Sequence, residues 1–210
     1  MMDDPSLSVE ALIDHIQMAS RKSRRRLVAL AGPPASGKST LAENVARELT
    51  QVGCRAQVVP MDGFHLDNRI LTSLGVLDRK GAPETFDVQG LLRLITALPK
   101  DDTVYYPVFD RSRDIAIAGA GVVDPTCDTV VVEGNYLLHD AAGWRDMADF
   151  WDVTIALDVP LETLRQRLVD RWLAHGLSRK RAEIRAEEND LKNAATIANC
   201  SVSADVTIRS

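Results

Sequence analysis

The sequence is poor in cysteine and histidine. Its three cysteines, Cys54, Cys127 and Cys200, lie far apart without a Cys-x-x-Cys pair, and its four histidines show no metal-ligand spacing. The sequence therefore gives no sign of a zinc site. We interpret the cysteines as small buried hydrophobic residues.

An excess of basic charge and long apolar runs are also lacking. The 210 residues include 25 Lys and Arg against 30 Asp and Glu, a formal net charge of −5. A general nucleic-acid-binding protein needs a dominating basic surface, so any anion site must be local. No run approaches the roughly 18 apolar residues of a membrane span, and the acidic start MMDDPSLSVE lacks the apolar core of a signal peptide. We therefore expect a cytoplasmic protein without a nucleic-acid or membrane partner.

What the sequence does contain is a regular alternation of apolar runs and helical patterns. Runs of Val, Ile and Leu without polar alternation are typical of strands that are covered on both faces. Six such runs recur along the chain: LVALAG, AQVVPMD, TVYYPV, TVVVEG, VTIALDV and ADVTIRS. This alternation predicts one α/β domain over residues 1–210, with a mostly parallel sheet flanked by helices.

The helices are predicted from apolar faces and end signals. Ser8 is an N-cap candidate before Leu12, Ile13 and Ile16, and Gly53 is placed to end a second helix. The remaining signals are a stripe of Leu41, Val45, Leu49 and Val52, the segment DVQGLLRLITAL, and PLETLRQRLVDRWLAHG with Leu161, Leu164, Leu168 and Trp172 on one face. Residues 1–26 then form an N-terminal helix and a basic lead-in, RKSRRR, which we interpret as solvated. The segment DIAIAGAGVVD predicts a small flap.

The strongest motif is GPPASGKST, Gly32 to Thr40, which matches the phosphate-binding P-loop between an apolar strand and an amphipathic helix. Glycines let the backbone approach phosphate oxygens, and Lys38 adds a charge for the β and γ phosphates of a nucleotide. Ser39 can offer its hydroxyl to Mg²⁺. Prolines donate no N–H, so the predicted nucleotide-binding residues are Gly32 together with Ala35, Ser36, Gly37, Lys38, Ser39 and Thr40.

Two acidic residues follow apolar strands. Asp62 ends AQVVPMD and Glu133 ends TVVVEG, and the carboxyl ends of parallel strands converge on one ligand crevice. Both carboxylates are therefore expected to face the phosphates, with Ser39, Asp62 and Glu133 as the metal environment. The alternative for each is an exposed acid that caps a turn. Gly63 is expected to let the chain turn sharply behind Asp62.

Together the segments GPPASGKST, MDGFH, APETFD, YPVFDRSR and VVVEGNYLL resemble the superfamily of uridine kinase, pantothenate kinase and phosphoribulokinase, especially its bacterial uridine-kinase-like or fructose-transport-system kinases. The resemblance covers nearly all of the chain from Leu27 onward. It implies a P-loop NTPase three-layer sandwich. It also implies that Asp62 is the catalytic acid near the acceptor hydroxyl, Glu133 the second magnesium-associated acid and Ser39 the P-loop ligand.

The resemblance also assigns Tyr106 to Arg113 to the substrate side. Uridine kinases carry a histidine in that segment, whereas this chain has Arg111 and Arg113 there and no histidine. The acceptor therefore stays open among a sugar or polyol, a nucleoside and pantothenate. Candidate acceptor residues are Phe64, His65, Tyr106, Phe109, Arg111 and Arg113. His65 can equally fill a turn, and the aromatic residues can equally belong to the core.

Seven basic residues between Arg165 and Arg185 predict a small arginine-rich lid at about residues 165–186, with Gly176 as a hinge. Arg167 and Arg171 are four residues apart and share a helical face. We expect Arg171 to stabilise a transferring phosphoryl group together with Lys38, and most of the other arginines to form a solvated face.

The sequence thus predicts a kinase that uses ATP and Mg²⁺ to phosphorylate a hydroxyl of a small molecule, with Asp62, Lys38 and Arg171 as catalytic residues. The alternative is a nucleotide-dependent regulator that is non-catalytic or hydrolyses slowly. A GTP-dependent switch is disfavoured because no Asn-Lys-x-Asp guanine-binding string occurs. A homodimer is left open.

Overall fold

A computed structural model gives the fold and describes residues 2–3 and 8–209. The strands of the described chain are β1 (Met2–Asp3), β2 (Arg26–Ala31), β3 (Ala56–Pro60), β4 (Val104–Asp110), β5 (Ile115–Val123), β6 (Thr129–Gly134), β7 (Val153–Asp158) and β8 (Val206–Arg209). Six of them form one sheet in the order β1-β8-β7-β2-β6-β3, and all its neighbouring strands are parallel. The predicted mostly parallel α/β fold is confirmed.

The helices are α1 (Val9–Met18), α2 (Lys38–Gln51), α3 (Asn68–Ser73), α4 (Val88–Ala97), α5 (Leu161–Ala174), α6 (Arg179–Arg185) and α7 (Leu191–Cys200). Ser8 caps α1 as predicted, because its side chain accepts a hydrogen bond from the N–H of Ala11. Gly53 follows α2 with a φ of 87°, the left-handed conformation expected at a helix end.

The central strand β2 shows how the sheet becomes covered on both faces. Val28 and Leu30 pack with apolar residues of α1 and α2. Leu27 and Ala29 belong to the cluster on the opposite face, which includes residues of α4 and α7. A third cluster joins α5, α6 and α7, and it forms the body of the arginine-rich region.

One predicted strand lies outside the sheet. TVYYPV was expected to join the parallel sheet, but within the described residues β4 pairs with β5 alone, as an antiparallel hairpin. The flap predicted for DIAIAGAGVVD is the other strand of this hairpin. An apolar run alone does not distinguish a doubly covered strand from a hairpin strand that packs on one side.

Several predicted buried positions are exposed. Val52 and Leu161 lie at helix ends and are 57% and 54% exposed, so the apolar faces of α2 and α5 are shorter than predicted. The prediction for the cysteines holds for Cys127, which is buried, but it is wrong for Cys200, which is exposed, while Cys54 is half-buried.

The basic lead-in RKSRRR was expected to be solvated, and this is wrong for Arg25. Its side chain is fully buried, and the guanidinium donates hydrogen bonds to five backbone carbonyls, those of Leu98, Asp101, Asp102, Asp124 and Cys127. Arg25 thereby ties the start of β2 to the end of α4 and to the loop between β5 and β6.

We predict that Arg25→Met lowers the free energy of unfolding by on the order of 3 kcal/mol or more, because five carbonyls lose a buried donor. For a domain of this size that corresponds to a fall in Tm of ~6–12 °C. Thermal unfolding followed by circular dichroism measures the change. Arg24→Met is the matched control, since Arg24 forms a partly exposed ion pair with Asp102 and should cost about 1 kcal/mol or less. Equal effects of the two substitutions would contradict the role of Arg25.

Candidate active site

The loop between β2 and α2 has the backbone of an anion cradle. Ala35 and Gly37 have φ angles of 62° and 92°, and Gly37 is the N-cap of α2. A left-handed conformation at a non-glycine residue such as Ala35 is uncommon and persists only where the surroundings hold it. The N–H groups of Lys38, Ser39 and Thr40 open α2, so they have no acceptor within the helix. Together with the helix dipole they favour a phosphate here.

Two P-loop residues shape the loop itself. A Cβ on Gly32 would lie 2.9 Å from Ser36 Oγ and 3.1 Å from Leu157 Cβ, so glycine is needed for close packing. The N–H of Ser36 donates to the carbonyl of Pro33. We expected every N–H from Ala35 to Thr40 to face a ligand, and the N–H of Ser36 instead stabilises the turn.

Neighbouring strands bring the two predicted carboxylates to the P-loop. The P-loop follows β2, Glu133 lies near the end of the adjacent β6, and Asp62 follows β3, the next strand. Glu133 is only 5% exposed and contacts the hydroxyl of Ser39. Its Oε2 is buried without a hydrogen-bond partner. An unpaired carboxylate oxygen at this position is suited to a cationic ligand.

Lys38, Glu133 and Asp62 influence one another's pKa values. Burial lowers the pKa of Lys38, and the nearby carboxylates Glu133 and Asp62 oppose that shift. Burial raises the pKa of Glu133, with Lys38 acting against it. Burial alone would also raise the pKa of Asp62, but Arg111, His65 and Lys38 outweigh it and hold that pKa below its usual value. Asp62 is therefore an ionised carboxylate among cations.

The contact of Asp62 with Arg111 is direct. Arg111 follows the last residue of β4, and its Nη2 lies 2.5 Å from Asp62 Oδ2. The Asp62 side chain is 19% exposed and that of Arg111 is 53% exposed. The predicted catalytic acid thus has a solvent-accessible cation as its nearest ionic partner.

An aromatic wall lies beside this ion pair. The ring of His65 stacks on Phe86 with centroids 4.1 Å apart and lies 4.8 Å from the ring of Phe109. Burial lowers the pKa of His65 to about 4, despite the nearby Asp62, so its ring is neutral at pH 7. His65 and Phe109 both border a polar cavity next to the P-loop, which Asp62 and Arg111 also border.

Three other candidate acceptor residues lie elsewhere. Phe64 is a buried member of the core, and the hydroxyl of Tyr106 donates to the carbonyl of Val58, 3.2 Å away. Arg113 forms an ion pair with Asp110 within the hairpin turn. None of these three side chains borders the cavity next to the P-loop.

The arginine-rich region covers the P-loop. Arg171 borders the cavity, and its guanidinium lies 5.8 Å from the ring of Trp172. The indole N–H of Trp172 donates to Asp190. Arg167 was expected to be the milder, largely solvated neighbour of Arg171, but its Nη1 lies 3.4 Å from the carbonyls of Ala35 and Ser36. Arg167 therefore supports the P-loop itself. Gly176, the predicted hinge, has a φ of 85° just after α5.

Sequence reasoning missed Lys80. Its Nζ lies 2.7 Å from Asn68 Oδ1, 2.9 Å from Asp114 Oδ1 and 5.0 Å from the centroid of Phe109, at the cavity edge. The carbonyl of Lys80 accepts a hydrogen bond from Asn189 Nδ2. The string RKG just before APETFD was the available signal, because a lysine beside a glycine can be presented by a tight turn.

The same segment connects the arginine-rich region to the residues that border Asp62. Arg79 donates to the side-chain carbonyls of Asn189 and Asn193, and Tyr136 donates to the carbonyl of Gly81. Asn189 and Asn193 lie four residues apart, so they share a helical face. No sequence pattern predicts a role for the stretch NDLKNAATI, Asn189 to Ile197. In the structure it anchors the segment that carries Lys80.

Two cavities lie on either side of the P-loop. The first, of about 140 Å³, is polar, and the predicted residues at its border are Lys38, Asp62, His65, Phe109, Arg111 and Arg171. The second, of about 420 Å³, lies between the P-loop and the start of α5 and the end of α7, and Pro33, Val159, Ile197 and Ala204 line it. A charged and a largely apolar cavity thus meet at the P-loop.

The oxygen donors fit a magnesium ion that is shared with a ligand. Asp62, Glu133 and Ser39 supply carboxylate and hydroxyl oxygens, the hard donors that Mg²⁺ prefers. Within residues 2–3 and 8–209, no group of three or more His, Cys, Asp or Glu could hold a metal by itself. Magnesium in phosphate sites is usually bound by one or two carboxylates together with phosphate oxygens, which this set permits.

Over residues 2–3 and 8–209, no helix is long and apolar enough to cross a membrane.

Comparison with known proteins gives a consistent family. A model of the phosphoribulokinase/uridine kinase family matches residues 27–208. The uncharacterized protein YggC of Escherichia coli (strain K12) is 39% identical over 163 residues, which cover 76% of this chain and 67% of that protein. A Schizosaccharomyces pombe protein named "putative uridine kinase C227.14" is 30% identical over 225 residues, which cover 99% and 93% of the two chains. A pantothenate kinase of Chelativorans sp. is 29% identical, and the match spans 49% of that enzyme.

Solved structures of related kinases have the same fold. The crystal structure of a "putative fructose transport system kinase" from Silicibacter sp. TM1040 superposes with a TM-score of 0.92 at 53% identity and covers 95% of this chain and 98% of that one. Phosphoribulokinase from Rhodobacter spheroides superposes with a TM-score of 0.58 at 13% identity, over 89% and 70% of the two chains, and shares the fold alone.

Gly63 determines where Asp62 lies. A Cβ at Gly63 would lie 1.9 Å from the carbonyl oxygen of Pro107, so β4 can approach the turn after β3 only because no side chain is present. We predict that Gly63→Ala lowers turnover by at least ~10-fold, because a shift of about 1 Å at a reacting group is costly. ATP turnover and nucleotide affinity are measured together. Gly119→Ala, at an open hairpin position, is the control and should cost about 1 kcal/mol of stability without loss of turnover. A fully active Gly63→Ala variant would contradict this account.

Proposed function

Because the chain belongs to the phosphoribulokinase/uridine kinase family of P-loop kinases, we propose that it uses ATP and Mg²⁺ to phosphorylate a hydroxyl group of a small molecule. The observation that carries the proposal is the convergence of Lys38, Asp62 and Glu133 at the ends of neighbouring parallel strands. Lys38 matches the need to bind phosphate, and the two carboxylates match the need to hold a metal ion and a hydroxyl.

In the proposed complex the phosphates of ATP lie in the P-loop. The N–H groups of Lys38, Ser39 and Thr40 face them, and the Lys38 ammonium binds the β and γ phosphates. The largely apolar cavity beside Pro33 and Ile197 then takes the nucleoside part of ATP, because it adjoins the P-loop on the side away from Asp62. Ser39, Glu133 and Asp62 would hold Mg²⁺, which offsets the negative charge of the phosphates.

The acceptor lies in the polar cavity between Asp62 and the hairpin. Asp62 orients its hydroxyl and takes its proton as the oxygen attacks the γ phosphorus. The new oxygen–phosphorus bond forms while the bond from the γ phosphorus to the β,γ-bridging oxygen breaks, and ADP leaves with the bonding electrons. Arg171 stabilises the charge on the transferring group from the lid side.

The proposed acceptors are, in order, a sugar or polyol, a nucleoside such as uridine, and pantothenate. The names of the related proteins cover the same range. A small-molecule acceptor agrees with the size of the polar cavity, about 140 Å³. The test is ATP consumption with each class of acceptor, with the product mass recorded. A product heavier by one phosphoryl group supports the proposal, whereas ATP hydrolysis without any phosphorylated product would refute it.

We predict that Asp62→Asn lowers kcat by ~10²–10⁴-fold, because the amide keeps the shape of the side chain but cannot take the proton. ATP affinity should change far less. Turnover at saturating ATP and Mg²⁺ with the best acceptor is the measurement, and nucleotide affinity in the same variant is the control. If Asp62→Asn works at the parent rate, the base must be sought elsewhere, with Glu133 first.

Arg171→Ala is expected to lower kcat by ~10²–10³-fold with a smaller loss of ATP affinity, because a lid arginine acts on charge that develops during transfer. Arg165→Ala on the same helix is the matched control, since Arg165 forms ion pairs with Glu162 and Glu187 and does not border the cavity. Arg167→Ala should weaken ATP binding instead, because Arg167 contacts the P-loop backbone. Equal rates for Arg171→Ala and Arg165→Ala would remove Arg171 from the transfer step.

A further inference from the structure

The Arg111 guanidinium is bound to the carboxylate that the proposed reaction needs. Its Nη2 lies 2.5 Å from Asp62 Oδ2. A carboxylate that accepts a charge-assisted hydrogen bond is a weaker base, and one of its oxygens is directed at the guanidinium. Both oxygens of Asp62 are available to a hydroxyl once Arg111 moves away from Oδ2.

The Arg111 side chain is more than half exposed, and the other carboxylates of its own turn are already paired. It is 53% exposed and lies in the turn between β4 and β5. The two other acids of that turn are already engaged. Asp110 accepts hydrogen bonds from Ser112 and Arg113, and Asp114 pairs with Lys80 and Asn68. The remaining carboxylate that interacts with Arg111 is Glu133, which the proposed complex assigns to the metal ion. A guanidinium that leaves Asp62 in that complex therefore turns toward solvent or toward a ligand.

The polar cavity carries an excess of positive charge. Five cationic side chains border it, against three carboxylates: Lys38, Lys80, Arg111, Arg171 and Arg185 against Asp62, Asp114 and Asp190. In the proposed complex Lys38 and Arg171 bind the phosphates of ATP. Once Asp62 contacts the acceptor, Arg111 is left without a fixed partner. Arg111 lies on the acceptor side of the cavity.

We propose that the acceptor carries an anionic group, a phosphate or a carboxylate, in addition to the hydroxyl that is phosphorylated, and that Arg111 binds this group. This inference rests on the proposed kinase function. An anionic acceptor draws Arg111 from Asp62 and frees the carboxylate for the hydroxyl. A neutral molecule leaves Arg111 on Asp62, so Arg111 determines specificity.

The experiment compares paired acceptors that differ only in charge: a hexose and its phosphate, a nucleoside and its 5′-monophosphate, and glycerol and glycerate. We expect the anionic member of the productive pair to have the higher kcat/KM. Arg111→Met should lower that kcat/KM by ~10- to 100-fold, the usual effect of losing a hydrogen bond to a charged group, and should lower the value for the neutral member much less. The phosphate and carboxylate pairs show which anion is bound.

Two further variants sharpen the test. Arg111→Lys keeps the charge without the planar fork and should retain part of the preference for the anion. Arg69→Met is the matched control, because Arg69 is an exposed arginine of α3 that is paired with Asp67. If neutral and anionic acceptors are phosphorylated equally well, or if Arg111→Met lowers both equally, Arg111 only positions Asp62 and the inference is wrong while the kinase function stands.

A binding measurement tests, without any turnover, whether Arg111 binds an anion. Inorganic phosphate is titrated calorimetrically into the protein saturated with Mg²⁺ and a non-hydrolysable ATP analogue. We expect one binding site that Arg111→Met weakens at least ~10-fold and Arg69→Met leaves unchanged. Equal binding by the parent and Arg111→Met would overturn the inference. If no acceptor of the panel is phosphorylated, the proposed function fails, and this titration still shows whether Arg111 binds an anion.

Discussion

A buried lysine and two carboxylates can share one site only if their charges compensate, and this constraint organises the centre of the molecule. Lys38, Asp62 and Glu133 each lose solvation, which disfavours the charged form of every one of them. The parallel order of β2, β6 and β3 brings them together, so that the Lys38 ammonium stabilises both carboxylates and they stabilise it, while the two carboxylates repel each other. The cluster is thereby set for a polyanion and a cation to enter together.

The surrounding elements keep this cluster in place from three sides. The hairpin of β4 and β5 approaches through the side-chain-free backbone of Gly63 and presents Arg111 to Asp62. The lid rests on the P-loop carbonyls through Arg167. Asn189 and Asn193 hold the segment that carries Lys80. Each contact joins residues far apart in sequence.

That separation decides how much could be predicted from the sequence. The P-loop, the capped α1 and the placement of Asp62 and Glu133 at strand ends follow from local patterns and from the geometry of parallel sheets. The chain turns at Gly63 as expected, in a 3-10 helix over Met61–Phe64. The same glycine also permits the close approach of Pro107, which no local pattern encodes. The burial of Arg25 and the contact of Arg167 with the P-loop were missed for the same reason, because a run of basic residues does not specify which one meets a cluster of carbonyls.

Helix α7 borders both cavities. Asn193 faces the polar one, and the next residue, Ala194, faces the largely apolar one. A substitution that shifts this helix to suit a new acceptor would therefore also disturb the cavity proposed for the nucleoside part of ATP. The β4–β5 hairpin borders the polar cavity, through Phe109 near the end of β4 and through Arg111 and Asp114 in the turn. Under the proposed function, acceptor preference can thus diverge among descendants of this fold by changes in a short hairpin, while the surfaces proposed for the nucleotide are inherited intact.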